Sequence, residues 1–177
     1  MERPPRITIY HANQCDPKRC TGLKLKRQGL ARVVNKTKFL PKRAIVLNPF
    51  GEIAFSPADR HRILDFGLVA LDCSWEHAQK VMSAHVKGTS RCLPILIAGN
   101  PVNFGKATKL STVEALAGAL YIAGFEDEAK QLLSIFTWGH TFLELNAELL
   151  ENYATAKDSA EVVRMQAMIG AERRKSG

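Results

Sequence analysis

An α/β fold is what this sequence predicts, and three observations carry the prediction. Continuous apolar runs at Ala44-Ile45-Val46-Leu47, Leu68-Val69-Ala70-Leu71 and Leu93-Pro94-Ile95-Leu96-Ile97-Ala98 suit strands buried on both faces of a parallel sheet. Up to residue 98 these runs alternate with helical patterns, as strands and helices do in an α/β chain. After Gly105 apolar residues recur at helical spacing almost to the end. The expected organisation is an α/β part over residues 1–98, followed by an all-helical part over 99–177.

Each element has its own signal. Arg6-Ile7-Thr8-Ile9-Tyr10 alternates as an opening strand. A loop rich in Asp, Pro and Gly follows over 13–22, and Thr21 is placed to cap a short basic helix reaching about Gln28. The strand at 44–47 ends at Asn48-Pro49. Ser56 as cap, with Pro57 at the first helical position, starts a helix that stops at Gly67. A strand over 68–72, a helix over 75–84 and a strand over 91–98 follow. Helices are then expected over 110–123, 126–136, 138–153 and 159–169. Ser111 and Glu114 are spaced as a capping box at the start of the first.

The chain has 177 residues, 46% apolar and 24% charged, an ordinary globular composition. No apolar run approaches the roughly 20 residues that span a bilayer, and the first residues lack a signal-peptide core. A cytoplasmic protein without membrane contact is expected. The net charge of +8 points to a polyanionic partner. Arg19, Lys24, Lys26, Arg27, Arg32, Lys36, Lys38, Lys42 and Arg43 fall in one stretch with no Asp or Glu among them. Such a stretch binds phosphates unless it serves only as a solvated face.

The chemistry concentrates where two apolar runs end, because ligands of open α/β sheets sit at the carboxyl ends of strands. One run ends in Asp72-Cys73-Ser74-Trp75 and the other leads to Asn100-Pro101-Val102-Asn103-Phe104-Gly105. A carboxylate ending an apolar strand is costly to bury unpartnered. Asp72 therefore either caps the following helix, which Ser74 can do equally well, or works on a ligand. Trp75 is open between core packing and ligand contact, and Asn100 between turn chemistry and binding. His140 is isolated, and no Ser-His-Asp or Cys-His arrangement can be assembled from spacing. Without a secretory signal, the four cysteines are expected to be free. His11, Cys15 and Cys20 offer three metal-ligand types, but no fourth appears at regular spacing, so no metal is expected. The common nucleotide-binding and metalloprotease fingerprints are absent.

These residues, taken with Cys15-Asp16-Pro17, Cys20-Thr21-Gly22, Leu47-Asn48-Pro49, Arg91-Cys92-Leu93-Pro94 and Phe136-Thr137-Trp138-Gly139-His140, resemble the small-subunit (16S/18S) ribosomal RNA aminocarboxypropyltransferase family over about residues 6–153. The resemblance implies a SPOUT-like knotted fold, an α/β part joined to a helical part that completes the cofactor site. It implies transfer of the 3-amino-3-carboxypropyl group of S-adenosylmethionine to N3 of an N1-methylpseudouridine in small-subunit rRNA, within the pre-ribosomal particle and by a monomer. It assigns Asp72 to catalysis, and Thr21, Leu47, Leu71, Asp72, Trp75, Ala78, Leu93, Pro94 and Asn100 to S-adenosylmethionine. The basic stretch 19–43, through Arg19, Lys24, Lys26, Arg27, Arg32, Lys36, Lys38 and Arg43, is assigned to RNA. Methyl transfer by a SPOUT-like RNA methyltransferase, or a non-enzymatic RNA-binding role in ribosome assembly, are the alternatives. The segment from Ile7 to about Asn35 also resembles a possible metal-binding domain found beside an iron–sulfur ribosome-recycling ATPase, but His11, Cys15 and Cys20 do not extend into a ferredoxin pattern and it is read as part of the substrate pocket.

Overall fold

The structure, a computed structural model, describes residues 2–83 and 86–176. Five parallel strands form one sheet in the order β2-β1-β4-β3-β5. They are β1 (Ile7–His11), β2 (Arg32–Val34), β3 (Ile45–Leu47), β4 (Leu68–Asp72) and β5 (Thr89–Arg91). Period-two alternation divides their side chains between two cores. Ile7, Ile9, Ile45, Leu47, Leu68 and Ala70 join the larger cluster on one face, while Tyr10, Val46 and Val69 join a smaller one on the other. Both faces are covered, as the continuous apolar runs require.

Eight α-helices accompany the sheet among the described residues: α1 (Thr21–Arg27), α2 (Arg60–Phe66), α3 (Trp75–Ser83), α4 (Thr112–Ile122), α5 (Glu126–Ser134), α6 (Gly139–Leu145), α7 (Ala147–Thr155) and α8 (Ser159–Lys175). The residue expected to end α3, Ala84, lies outside the described residues. Helix α4 is apolar nearly all round and correspondingly buried, packed against β4, α1, α5 and α7. Its start carries the expected capping box of Ser111 and Glu114. Ser56 and Asp59 form a second such box ahead of α2. That helix stops at Gly67, whose φ of 93° and close approach to the Arg6 carbonyl both require glycine. No helix among the described residues is long and apolar enough to cross a membrane.

Several expectations are corrected. The knotted SPOUT-like architecture with an all-helical C-terminal part gives way to a five-stranded, all-parallel α/β sheet, with no sign of a knot among the described residues. Nor is the C-terminal part wholly helical: Ala107 forms an antiparallel bridge with Ile97, and α4 packs directly on β4. The run 91–98 is not a strand beyond Arg91. Pro94 has no N–H, and its neighbours' backbone groups are satisfied by side chains instead. Ile95 N–H donates to Gln166 Oε1 at 2.8 Å, Ile97 N–H to Asn146 Oδ1 at 2.7 Å, and the Tyr153 hydroxyl to the Ile95 carbonyl at 3.2 Å. The helix expected over 138–153 divides at Asn146, which also donates from Nδ2 to the carbonyls of Ile97 and Phe142, each at 2.8 Å. The cap position of α1 is Cys20 rather than Thr21. Strand β2, hidden inside the basic stretch, is an element that hydropathy does not reveal.

Candidate active site

A cavity of about 370 Å³ opens at the carboxyl ends of β3 and β4. Leu47 closes the end of β3, and Leu71 and Asp72 the end of β4. Trp75 and Ala78 contribute the first turn of α3, and Leu93 and Pro94 the segment after β5. A further wall comes from Thr108, Leu110, Ser111, Thr112 and Ala115, at and before the start of α4. Sequence reading misses this wall, because nothing in its pattern distinguishes it from an ordinary helix start. The walls are mainly apolar, with a few hydroxyls and one carboxylate, the balance expected of a small-molecule site.

Asp72 is not spent on capping α3. Ser74 does that, accepting the His77 N–H on Oγ at 3.2 Å while its own N–H donates to Gln14 Oε1 at 2.8 Å. Asp72 instead accepts the Cys20 thiol at 3.0 Å on Oδ2, with His11 Nε2 3.7 Å from the same oxygen. Helix α1 is seated against it so closely that a Cβ on Gly22 would stand 3.0 Å from Oδ2. Burial, reinforced by the hydrogen bond to Asp72, pushes the Cys20 thiol up. Burial followed by the Asp72 charge pushes Cys73 up to about 11. Both shifts disfavour a cysteine nucleophile here.

Trp75 is 51% exposed and so is not a core residue. Its ring meets Phe50 edge-on at 5.7 Å, and Lys109 Nζ lies 5.4 Å from its centroid, so it stands as a wall at the mouth. On the far side, Arg91 donates from Nε to both Asp59 oxygens at 3.0 and 3.2 Å, fixing the end of β5 to the turn before α2.

Of the residues assigned to the donor, Leu47, Leu71, Asp72, Trp75, Ala78, Leu93 and Pro94 line this one cavity. Thr21 and Asn100 do not. Thr21 starts α1 beside Asp72. The Asn100 amide is engaged by Glu114, and its Oδ1 accepts from Asn103 N–H at 3.0 Å, which is turn chemistry. Arg19, Lys24, Lys26, Arg27, Arg32, Lys36, Lys38 and Arg43 are all exposed. None is ion-paired among the described residues. Lys24 and Arg43 lie over the rings of Phe136 and Phe66, and Arg27 donates to the Pro17 carbonyl at 2.9 Å. The stretch begins beside Asp72, passes through β2 at the edge of the sheet and ends with Arg43 over Phe66, just before β3 and β4 begin.

Residues 45–170 match the family model "Ribosome biogenesis protein, C-terminal", and residues 5–38 match "Possible Fer4-like domain in RNase L inhibitor, RLI". The 16S rRNA aminocarboxypropyltransferase of Methanosarcina acetivorans is 51% identical, over 90% of this chain and 91% of its own length. That of Methanocaldococcus jannaschii is 47% identical over 92% and 94% respectively. The structure of the SAM-dependent rRNA:acp-transferase Tsr3 from Vulcanisaeta distributa superposes with a TM-score of 0.83 at 42% identity, covering 91% of this chain and 88% of that one. An iron–sulfur cubane, which the second model's name suggests, takes four thiolates. The matched segment holds only Cys15 and Cys20, so its residues do not fit one.

Proposed function

The chain belongs to the 16S rRNA aminocarboxypropyltransferase family, and on that premise we propose that it transfers the 3-amino-3-carboxypropyl group of S-adenosylmethionine to small-subunit rRNA, at N3 of an N1-methylpseudouridine, acting as a cytoplasmic monomer on the pre-ribosomal particle. The observation that carries this reading is the convergence of seven residues assigned to the donor on one cavity at the ends of parallel strands, with Asp72 among them. When bound, the donor supplies a sulfonium whose attached carbons are all electrophilic, so the carbon that reacts is the one turned toward the nucleophile.

The protein's part is therefore orientation. Trp75 and Ala78 make an apolar wall suited to shielding the methyl group, and Leu47, Leu71, Leu93 and Pro94 line the rest of the pocket for the nucleoside. Thr21, beside Asp72, is assigned to the amino-acid end of the donor. Asp72 stands at the end of β4, where its carboxylate accepts the imide proton of the incoming base or offsets the sulfonium charge. A positioned base contributes about 10²–10⁴-fold. The first 98 residues provide Asp72 and the RNA-facing basic stretch. Residues 99–177 complete the pocket through the start of α4.

The test is transfer to small-subunit rRNA from S-adenosylmethionine labelled in its aminocarboxypropyl arm. Incorporation at a modified pseudouridine with release of methylthioadenosine is expected. Gain of a single methyl with S-adenosylhomocysteine would overturn the reading in favour of methyl transfer. Failure of purified protein to bind S-adenosylmethionine would overturn it in favour of a non-enzymatic role.

A further inference from the structure

The fourth ligand that sequence spacing lacks is supplied by the sheet. β1 and β4 are paired so that His11 faces Asp72 in register, and the loop after β1 folds back to bring Cys15 and Cys20 onto the same spot. His11 Nε2 lies 3.2 Å from Cys15 Sγ and 3.3 Å from Cys20 Sγ. Cys20 Sγ lies 3.0 Å from Asp72 Oδ2. All four donor atoms fall within 4.8 Å of one another. Zinc bonds of about 2.0–2.3 Å at tetrahedral angles separate their ligand atoms by roughly 3.3–3.8 Å, so this quartet needs only small adjustments around an ion.

The ring of His11 is also held as a metal-bound imidazole is held. In the tautomer protonated on Nδ1, the ring donates to Asn13 Oδ1 at 2.9 Å, which leaves the Nε2 lone pair facing the two sulfurs. Asn13 reaches this position with a φ of 56°, a conformation that Asn tolerates better than most residues. His11 and Cys20 are buried, and Cys15 is half-buried at the edge. Two thiols, an imidazole and a carboxylate gathered from two strands and a loop are a complete donor set for one zinc-class ion.

We infer that His11, Cys15, Cys20 and Asp72 form a mononuclear site for a divalent cation of the zinc class, which clamps the loop over 12–20 to the end of β4. Binding displaces the two thiol protons to solvent. With Asp72 as a ligand, its part in transfer becomes electrostatic, and α1 is anchored beside the donor cavity by the metal.

The experiment reads metal directly and does not depend on transfer, so its failure is distinct from failure of the proposed activity. Full-length protein is purified under reducing conditions and its zinc is measured. It is then stripped with a chelator and titrated with Co²⁺ alone, and afterwards with Zn²⁺ alone. About one ion per chain is expected, with a thiolate-to-cobalt charge-transfer band that zinc abolishes. Cys15→Ser, at the edge of the cluster, is expected to lose that band with the far-ultraviolet circular dichroism unchanged. Asn13→Gly, which keeps the backbone conformation accessible, is expected to weaken binding about 10–100-fold. Wild-type protein that refolds fully but takes up no zinc and gives no thiolate band would overturn the site. So would a sulfide-containing iron cluster.

Discussion

Asn100 and Glu114 are locked together inside the protein, the Asn100 amide donating to Glu114 Oε2 at 2.7 Å with both residues buried. The same carboxylate accepts the backbone N–H groups of Gly99 at 2.7 Å, Asn100 at 2.9 Å and Ser111 at 2.7 Å, and the Ser111 hydroxyl at 2.9 Å. One side chain thus fixes both the loop after Ala98 and the start of α4, which forms a wall of the cavity at the strand ends. Glu114→Gln turns an amide NH₂ toward N–H donors and is expected to cost about 3 kcal/mol, or about 6–12 °C in Tm. Thermal unfolding measures it.

Asp72→Ala is expected to lower single-turnover transfer by at least about 10²-fold while leaving the far-ultraviolet circular dichroism unchanged. Rapid-quench kinetics beside circular dichroism separate chemistry from folding. Near-normal turnover would remove Asp72 from the chemistry.

Reversing charge at Lys24, Lys26 and Arg27 together is expected to weaken RNA binding and leave donor affinity unchanged. If each contacts one phosphate, the slope of log K against log salt falls by about 2 for single-stranded RNA. A loss of donor affinity with RNA affinity intact would refute the assignment.

Trp75→Ala is expected to raise the Kd for S-adenosylmethionine about tenfold yet shift stability by no more than about 0.5 kcal/mol, because half of the ring faces solvent. Titration calorimetry and denaturant melts on the same preparation give both numbers. A large loss of stability would make Trp75 a core residue.

Tyr153 is fully buried, and burial pushes its phenol up to about 12. A raised folded pKa means that the stability this group provides is fully present below pH 10 and is lost as pH rises through about 12. Tyr153→Phe, which removes the bond to the Ile95 carbonyl, is expected to cost about 1 kcal/mol at pH 7. The wild-type and variant stability curves then converge above pH 10 and cross at about pH 11, beyond which the variant is the more stable.

Much of this was legible because local chemistry decides it. Ser56 with Pro57, Ser111 with Glu114, and Gly67 each announce a helix boundary within a few residues, and each boundary lies where its signal puts it. What stayed hidden depends on partners distant in sequence. The run after Arg91 has a strand's composition, yet Gln166, Asn146 and Tyr153 claim its backbone groups. Asn146 breaks a helix that apolar spacing makes continuous, because its amide is needed at Ile97. Seven of the nine residues assigned to the donor by motif meet at one cavity, but its wall at 108–115 carries no motif. The company Asp72 keeps with His11 and Cys20 is set by strand register, which spacing does not express.

Strand order has a further consequence for how the chain is made. β4 is central in the sheet, yet both of its neighbours, β1 and β3, are synthesised before it. On the ribosome, Ile7 must wait for Leu68 to emerge before the two can pair, and the face of β4 on which α4 packs stays uncovered until α4 follows. Such non-local closure slows folding and leaves the nascent amino-terminal third open to chaperones or to aggregation.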